Sequence, residues 1–171
     1  DNQGAINDYS KLIAIAPNDF VALTNRGLSK AALEDNKGAI SDYSKALDID
    51  NKYENAYFHR GYANYEIEKF YEAIIDYSQA LEINPKNEDA FFNRGLSKIK
   101  IKDYDGAIKD FSKVIELNPS NNLALSNIEE IEKKIDEKSE KALIDKGFSN
   151  LQSENYPVSY THLRAHETFG Y

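Results

Sequence analysis

GAINDYSKLIAIAPND (residues 4–19) returns as GAISDYSKALDIDNKY (38–53), EAIIDYSQALEINPKN (72–87) and GAIKDFSKVIELNPSN (106–121), at a constant offset of 34 residues. A second block alternates with it at the same offset: ALTNRGLSKAAL (22–33), AYFHRGYANYEI (56–67) and AFFNRGLSKIKI (90–101). Each block sets apolar residues at helical spacing over about three turns. Between blocks stand turn residues: Pro17-Asn18-Asp19, Asp50-Asn51-Lys52, Asn84-Pro85-Lys86 and Asn118-Pro119-Ser120. Proline ends a helix there because it donates nothing to the ladder and disfavours helix in the residue before it. The repeating unit is therefore an antiparallel helix pair, and the fold class is all-α.

One pair cannot cover its own apolar stripe, so stacked neighbours must supply the core. Glycine and alanine on facing helix surfaces let backbones approach. Groups such as Ile40, Tyr43 and Leu47 then fill the wedge between pairs. The pattern resembles the tetratricopeptide repeat (TPR) family, whose period is also about 34 residues. The helix glycine is Gly27, Gly61 and Gly95; the small residue opening the second helix is Ala5, Ala39, Ala73 and Ala107. The aromatic four residues on is Tyr9, Tyr43, Tyr77 and Phe111, and the closing prolines are Pro17, Pro85 and Pro119. Two positions depart: Leu23, Tyr57 and Phe91 replace tryptophan, and Arg26, Arg60 and Arg94 replace the leucine before the glycine. The resemblance covers residues 1–121 and implies a right-handed superhelical solenoid, a TPR array.

On this reading 1–19 is the second helix of a truncated repeat, and 20–53, 54–87 and 88–121 are three full repeats. Residues 122–139 form a charged packing or linker helix, with Glu129–Lys133, Glu130–Lys134 and Glu137–Lys141 at favourable helical spacing. Residues 140–156 begin a further repeat, because ALIDKGFSNLQSENY (142–156) follows AFFNRGLSKIKIKDY (90–104) with Gly147 under Gly95. A helix break is expected near Asp136–Ser139, the alternative being one long helix. Residues 157–171 read as a non-native tail, since PVSYTHLRAHET (157–168) matches, residue for residue, the translation of a transposon-type sequencing adapter. With no methionine at either end or between, the chain reads as a metagenomic fragment of a longer protein. Its Lys, Asn, Ile and Tyr richness suggests an AT-rich bacterial genome. The missing N-terminus leaves the compartment unknown.

The arginines introduce a second regularity. Each is followed sixteen residues later by an aspartate: Arg26 by Asp42, Arg60 by Asp76, Arg94 by Asp110. Each also follows an aspartate by eighteen: Asp8, Asp42 and Asp76. These residues are expected to form structural ion pairs in a ladder along the helix interfaces, each guanidinium bonding two carboxylates. Ser10, Ser44, Ser78 and Ser112 recur at the same period without an evident role.

Chemistry is sparse. Acidic residues outnumber basic ones 29 to 21, which argues against a nucleic-acid partner. No apolar run approaches the ~20 residues of a membrane span. There is no cysteine, no phosphate-binding glycine loop, and only His59 among the histidines outside the tail. No enzyme, metal site or cofactor is read from it.

What remains is recognition of a protein or peptide. The resemblance implies a concave groove lined by the first helices of successive pairs. By matched position its peptide-binding residues are Asn25 and Leu28, then Phe58, His59, Tyr62 and Tyr65, then Phe92, Asn93, Leu96 and Ile99; Thr24 is also expected in the lining, and Asn25 and Asn93 are expected to bond a peptide backbone. Glu66, Asp89 and Lys100 leave the groove near neutral and rich in aromatics, which suits an apolar anchor. Chaperone-binding members grip a terminal carboxylate with lysine, asparagine and arginine. The matching places here hold Val21 with Asn25, His59, and Asp89 with Asn93, so no such clamp is expected. The alternatives are a spacer or assembly arm, or the recruiting arm of an enzyme whose catalytic domain lies outside this fragment.

Overall fold

The computed structural model describes residues 1–153. Among them eight α-helices follow one another with no strand: α1 (Asn2–Ile15), α2 (Phe20–Ala31), α3 (Asn36–Ile49), α4 (Glu54–Glu66), α5 (Phe70–Ile83), α6 (Glu88–Lys100), α7 (Tyr104–Leu117) and α8 (Asn122–Ser153). Asp1–Ile128 make one compact unit, and a second begins at Glu129. The first unit is the stack of helix pairs. Within it α2 packs on α3, α4 on α5 and α6 on α7, while α1–α2, α3–α4 and α5–α6 contacts join the pairs in series. The first helices also meet one another, α2 with α4 and α4 with α6, and so form one continuous face.

Short polar side chains set the helix starts. The carboxylates of Asp19, Asp35 and Asp103 accept from the backbone N–H of Ala22, Gly38 and Gly106 at 2.9, 2.9 and 3.0 Å, and Asn87 does the same for Ala90. Inside each pair the turn is tight. Asp35 N–H reaches back to the Lys30 carbonyl, Lys69 to Asn64 and Asp103 to Lys98, each at 2.9–3.0 Å. The residue before each of these is left-handed: Glu34, Glu68 and Lys102 at φ 64°, 61° and 64°. This is a Schellman ending built without the usual glycine, a strain of about 1 kcal/mol per turn.

The core repeats with the sequence. Ala39, Ala46, Ala56, Ala63, Ala73, Ala80, Ala90 and Ala107 are fully buried, as are the rings of Tyr43, Tyr77 and Phe111. Each ring lies on the glycine of its own pair. A Cβ added at Gly27 would stand 2.6 Å from Tyr43 Cε1; at Gly61, 3.0 Å from Tyr77 Cε1; at Gly95, 2.9 Å from Phe111 Cε1. The glycine is needed to admit an aromatic ring rather than a second backbone. α1 has a single neighbour and buries no residue completely; Ile6, Tyr9 and Ile13 are half-buried and Ile15 is 84% exposed.

The array does not stop at Asn121. Asn121 caps α8 by accepting from Ala124 N–H, and Ala124 is buried at the register of Ala22, Ala56 and Ala90. The register fails just after, where Ile128 and Glu129 stand in place of arginine and glycine. α8 also runs unbroken through 136–139, so of the two expectations, a break there or one long helix, the second is seen as far as Ser153. The stretch 129–142 holds neither glycine nor proline, and Lys134 meets Glu130 at 2.6 Å, four residues away, so nothing local opposes the helix. The further repeat read at 140–156 is helical as far as Ser153; 154–156 and the tail 157–171 lie outside the described residues.

Candidate functional site

The arginines lie between consecutive helices. Arg26 Nε and Nη2 donate to both oxygens of Asp42 at 2.7 Å. Arg60 does so to Asp76, with Nη2 at 2.6 Å, and Arg94 to Asp110, with Nη2 at 2.7 Å and Nε at 2.9 Å. The three aspartates are buried and the guanidiniums nearly so. Burial alone would raise the Asp42 pKa, but hydrogen bonds from Arg26 and Lys30, with their charges, outweigh it and hold the carboxyl below its ordinary range.

The other half of the expected ladder is corrected. The aspartate eighteen residues earlier is not the second partner. Instead Nη1 donates to a serine on the preceding pair: Arg26 to Ser10 at 3.2 Å, Arg60 to Ser44 at 3.1 Å and Arg94 to Ser78 at 3.0 Å. Ser10 and Ser78 in turn donate to the carbonyls of Ile6 and Ile74. That explains Ser10, Ser44 and Ser78; for Ser112 the matching position holds Ile128 instead of an arginine. A neutral hydroxyl ties each pair to the next, so no guanidinium is shared between two carboxylates. Lysine also enters unforeseen: Lys30 and Lys98 close on Asp42 and Asp110 at 2.7 Å. The second repeat has Asn64 at that register, donating to Asp76 at 3.0 Å.

The candidate groove residues all stand on the first helices: Asn25 and Leu28 on α2; Phe58, His59, Tyr62 and Tyr65 on α4; Phe92, Asn93, Leu96 and Ile99 on α6. Tyr62 is 46% exposed, and the other nine are half-buried. Several lean on the second helices. Phe58 meets Tyr77 with ring centroids 5.8 Å apart, Phe92 meets Phe111 at 5.4 Å, and Tyr65 crosses the turn to Phe70 at 5.4 Å. His59 stacks on Tyr43 at 6.1 Å and takes the edge of Phe58 at 5.2 Å; burial lowers its pKa, so it is neutral at pH 7. Thr24, expected among the lining, is buried and donates to its own helix at Phe20. The Asn93 amide, expected to bond a peptide backbone, donates one N–H to the Asp89 carbonyl at 2.8 Å, which leaves its second N–H and its oxygen for a peptide. Among the described residues there is no group of three or more metal-ligating side chains, and no helix long and apolar enough to cross a membrane.

The tetratricopeptide-repeat family model matches residues 54–87 and 88–121, and a second TPR-repeat model matches 29–68. A crystal structure of MamA superposes with a TM-score of 0.76 at 25% identity, covering 91% of this chain and 92% of that one. The first TPR of Spaghetti (RPAP3), bound to the HSP90 peptide SRMEEVD, gives 0.66 at 25% identity, over 68% of this chain and 92% of that one. MamA 41-end from Desulfovibrio magneticus RS-1, at 17% identity and a TM-score of 0.76, shares the fold over 91% of this chain and 88% of its own. No curated protein sequence matches the chain.

Proposed function

We propose, from the premise that residues 29–121 are tetratricopeptide repeats, that the chain is a protein-interaction scaffold whose first helices hold a peptide or partner helix by an apolar anchor. The observation that carries this is the aromatic row on one continuous face. Phe58, Tyr62, Tyr65 and Phe92 keep part of their surface in water, while the aromatics of the second helices, Tyr43, Tyr77 and Phe111, are fully covered. Phe58, Tyr65 and Phe92, half-buried and backed by Tyr77, Phe70 and Phe111, are rigid and lose little conformational freedom on binding, as interface anchors must. The peptide-bound state of the RPAP3 neighbour supports the same use of the fold.

The ligand class differs from that neighbour's. The cations that would grip a terminal carboxylate are absent from the matched places, where Val21, neutral His59 and Asp89 stand. Fluorescently labelled SRMEEVD should therefore bind weakly or not at all. The groove itself is tested by Tyr62→Ala with Phe92→Ala. Loss of captured peptide with unchanged helicity supports it. Unchanged capture favours a spacer or assembly arm, for which the exposed Tyr71 (67%) and Ile75 (61%) on α5 offer a surface.

A further inference from the structure

The second repeat departs from its neighbours at one end of α4. Glu66, the last residue of that helix, is exposed, and among the described residues no lysine or arginine is paired with it. It bears instead on Tyr62, one turn earlier, whose pKa it raises by its charge first, with burial and a hydrogen bond adding to the effect. The flanking repeats carry Lys30 and Lys98 near this end, and the second has uncharged Asn64. The one cation on α4, Arg60, is committed to Asp76 and Ser44. Beneath the same residues lies a buried polar atom. The Tyr77 hydroxyl is the one buried side-chain polar atom among the described residues without a hydrogen-bond partner. Its ring passes over Gly61 beside Phe58, and its pKa is raised by burial first and then by the charges of Tyr62, Tyr65, Asp76 and Glu66.

Resting on the groove reading above, we infer that this sector is a subsite for a basic side chain, a lysine or arginine of the docked segment, held between the faces of Tyr62 and Tyr65 with its charge on Glu66. A cation there gains from the aromatic faces and from a charge-assisted bond to a carboxylate that, among the described residues, has no cation of its own. The net charge of −8 draws basic segments toward the molecule and repels acidic ones.

The test is a phage-displayed random peptide library panned on the full chain and, in parallel, on Glu66→Gln and on Phe92→Ala. Glu66 is exposed, so its variant should fold; circular dichroism checks each protein. The expected result is enrichment of peptides with Arg or Lys within a few residues of an aromatic or aliphatic anchor. A synthetic representative should weaken about tenfold on Glu66→Gln, and by as much when its basic residue becomes alanine. Peptides that need Phe92 but show no basic preference, and bind Glu66→Gln equally, would overturn the subsite and leave the groove standing. Enrichment indifferent to both variants, or none at all, overturns both.

Discussion

The first and third repeats are near twins, and the second is not. NRGLSK stands at 25–30 and again at 93–98, where the second repeat reads HRGYAN (59–64). The twins each start their second helix with a capping aspartate and a glycine three residues on, Asp35 with Gly38 and Asp103 with Gly106. The second repeat has Lys69 and Glu72 there, with no side-chain cap. The twins put a lysine on the buried aspartate and the second an asparagine. All three keep the glycine under a ring, the buried alanines and the arginine tied to an aspartate and a serine. Stacking therefore requires only that skeleton. The positions around it are free to differ, and the differences gather where the aromatic groove residues are densest.

The largest expected effect breaks the skeleton and measures the difference at once. Arg60→Leu leaves Asp76 buried with Asn64 as its only partner, whereas Arg26→Leu leaves Asp42 still paired with Lys30. An uncompensated buried carboxylate costs about 3 kcal/mol, and one that retains an ammonium about 1–2 kcal/mol. Chemical denaturation should place Arg60→Leu clearly below Arg26→Leu. Equal losses would mean that Lys30 contributes nothing to Asp42.

Next comes the glycine. In an isolated helix, glycine to alanine gains about 1 kcal/mol of propensity. At Gly27 the new Cβ would press the fully buried Tyr43 ring at 2.6 Å, and at Gly61 the contact with Tyr77 is 3.0 Å. Overpacking costs about 1–3 kcal/mol, so Gly27→Ala should lose about 2 kcal/mol net while Gly61→Ala stays within about 1 kcal/mol of the parent. The midpoint of urea unfolding decides between them.

The repeat period made the helix pairs legible in the sequence, but not that each glycine faces an aromatic ring instead of a second backbone, and it also hid the true ladder. An aspartate sixteen residues after one arginine is automatically eighteen before the next, since the two offsets together make one period. Spacing alone therefore cannot tell a shared carboxylate from a private one. Serine, two residues beyond each aspartate, was visible as a recurrence but not as an acceptor, because its role needs the packing of one pair on the next. Lys30 and Lys98 each stand one helical turn after an arginine, but spacing alone does not show that they close on the same aspartate. The face of α2, α4 and α6 was legible by matched position, but burial was not: Thr24 turned inward and bonds its own helix. A break in α8 was one of two expectations, prompted by the restart of the repeat pattern at 142, and a restarting pattern alone does not end a helix.

Asn64→Lys sharpens the comparison by making the second repeat resemble its neighbours. Lysine at 64 should reach Asp76 as Lys30 reaches Asp42, gaining up to about 1 kcal/mol. It also adds positive charge beside Tyr65 and Glu66. A rise in melting temperature accompanied by weaker binding of basic peptides is the expected pair of results. Unchanged binding would separate the lysine's structural role from the groove.

The smallest change in stability is expected at Tyr77→Phe. The third repeat already has Phe111 at this register, fully buried on Gly95, so the ring alone satisfies the packing. Removing a buried hydroxyl that has no partner relieves a desolvation cost, so Tyr77→Phe should be neutral or up to about 1 kcal/mol more stable. A hydroxyl retained for stability would show the opposite sign, with a loss of about 1 kcal/mol from a hydrogen bond. If the variant gains stability and loses affinity for basic peptides, the oxygen beneath Tyr62 and Tyr65 is kept for binding at the expense of the fold. That would give the second repeat's departure from its twins a functional cause.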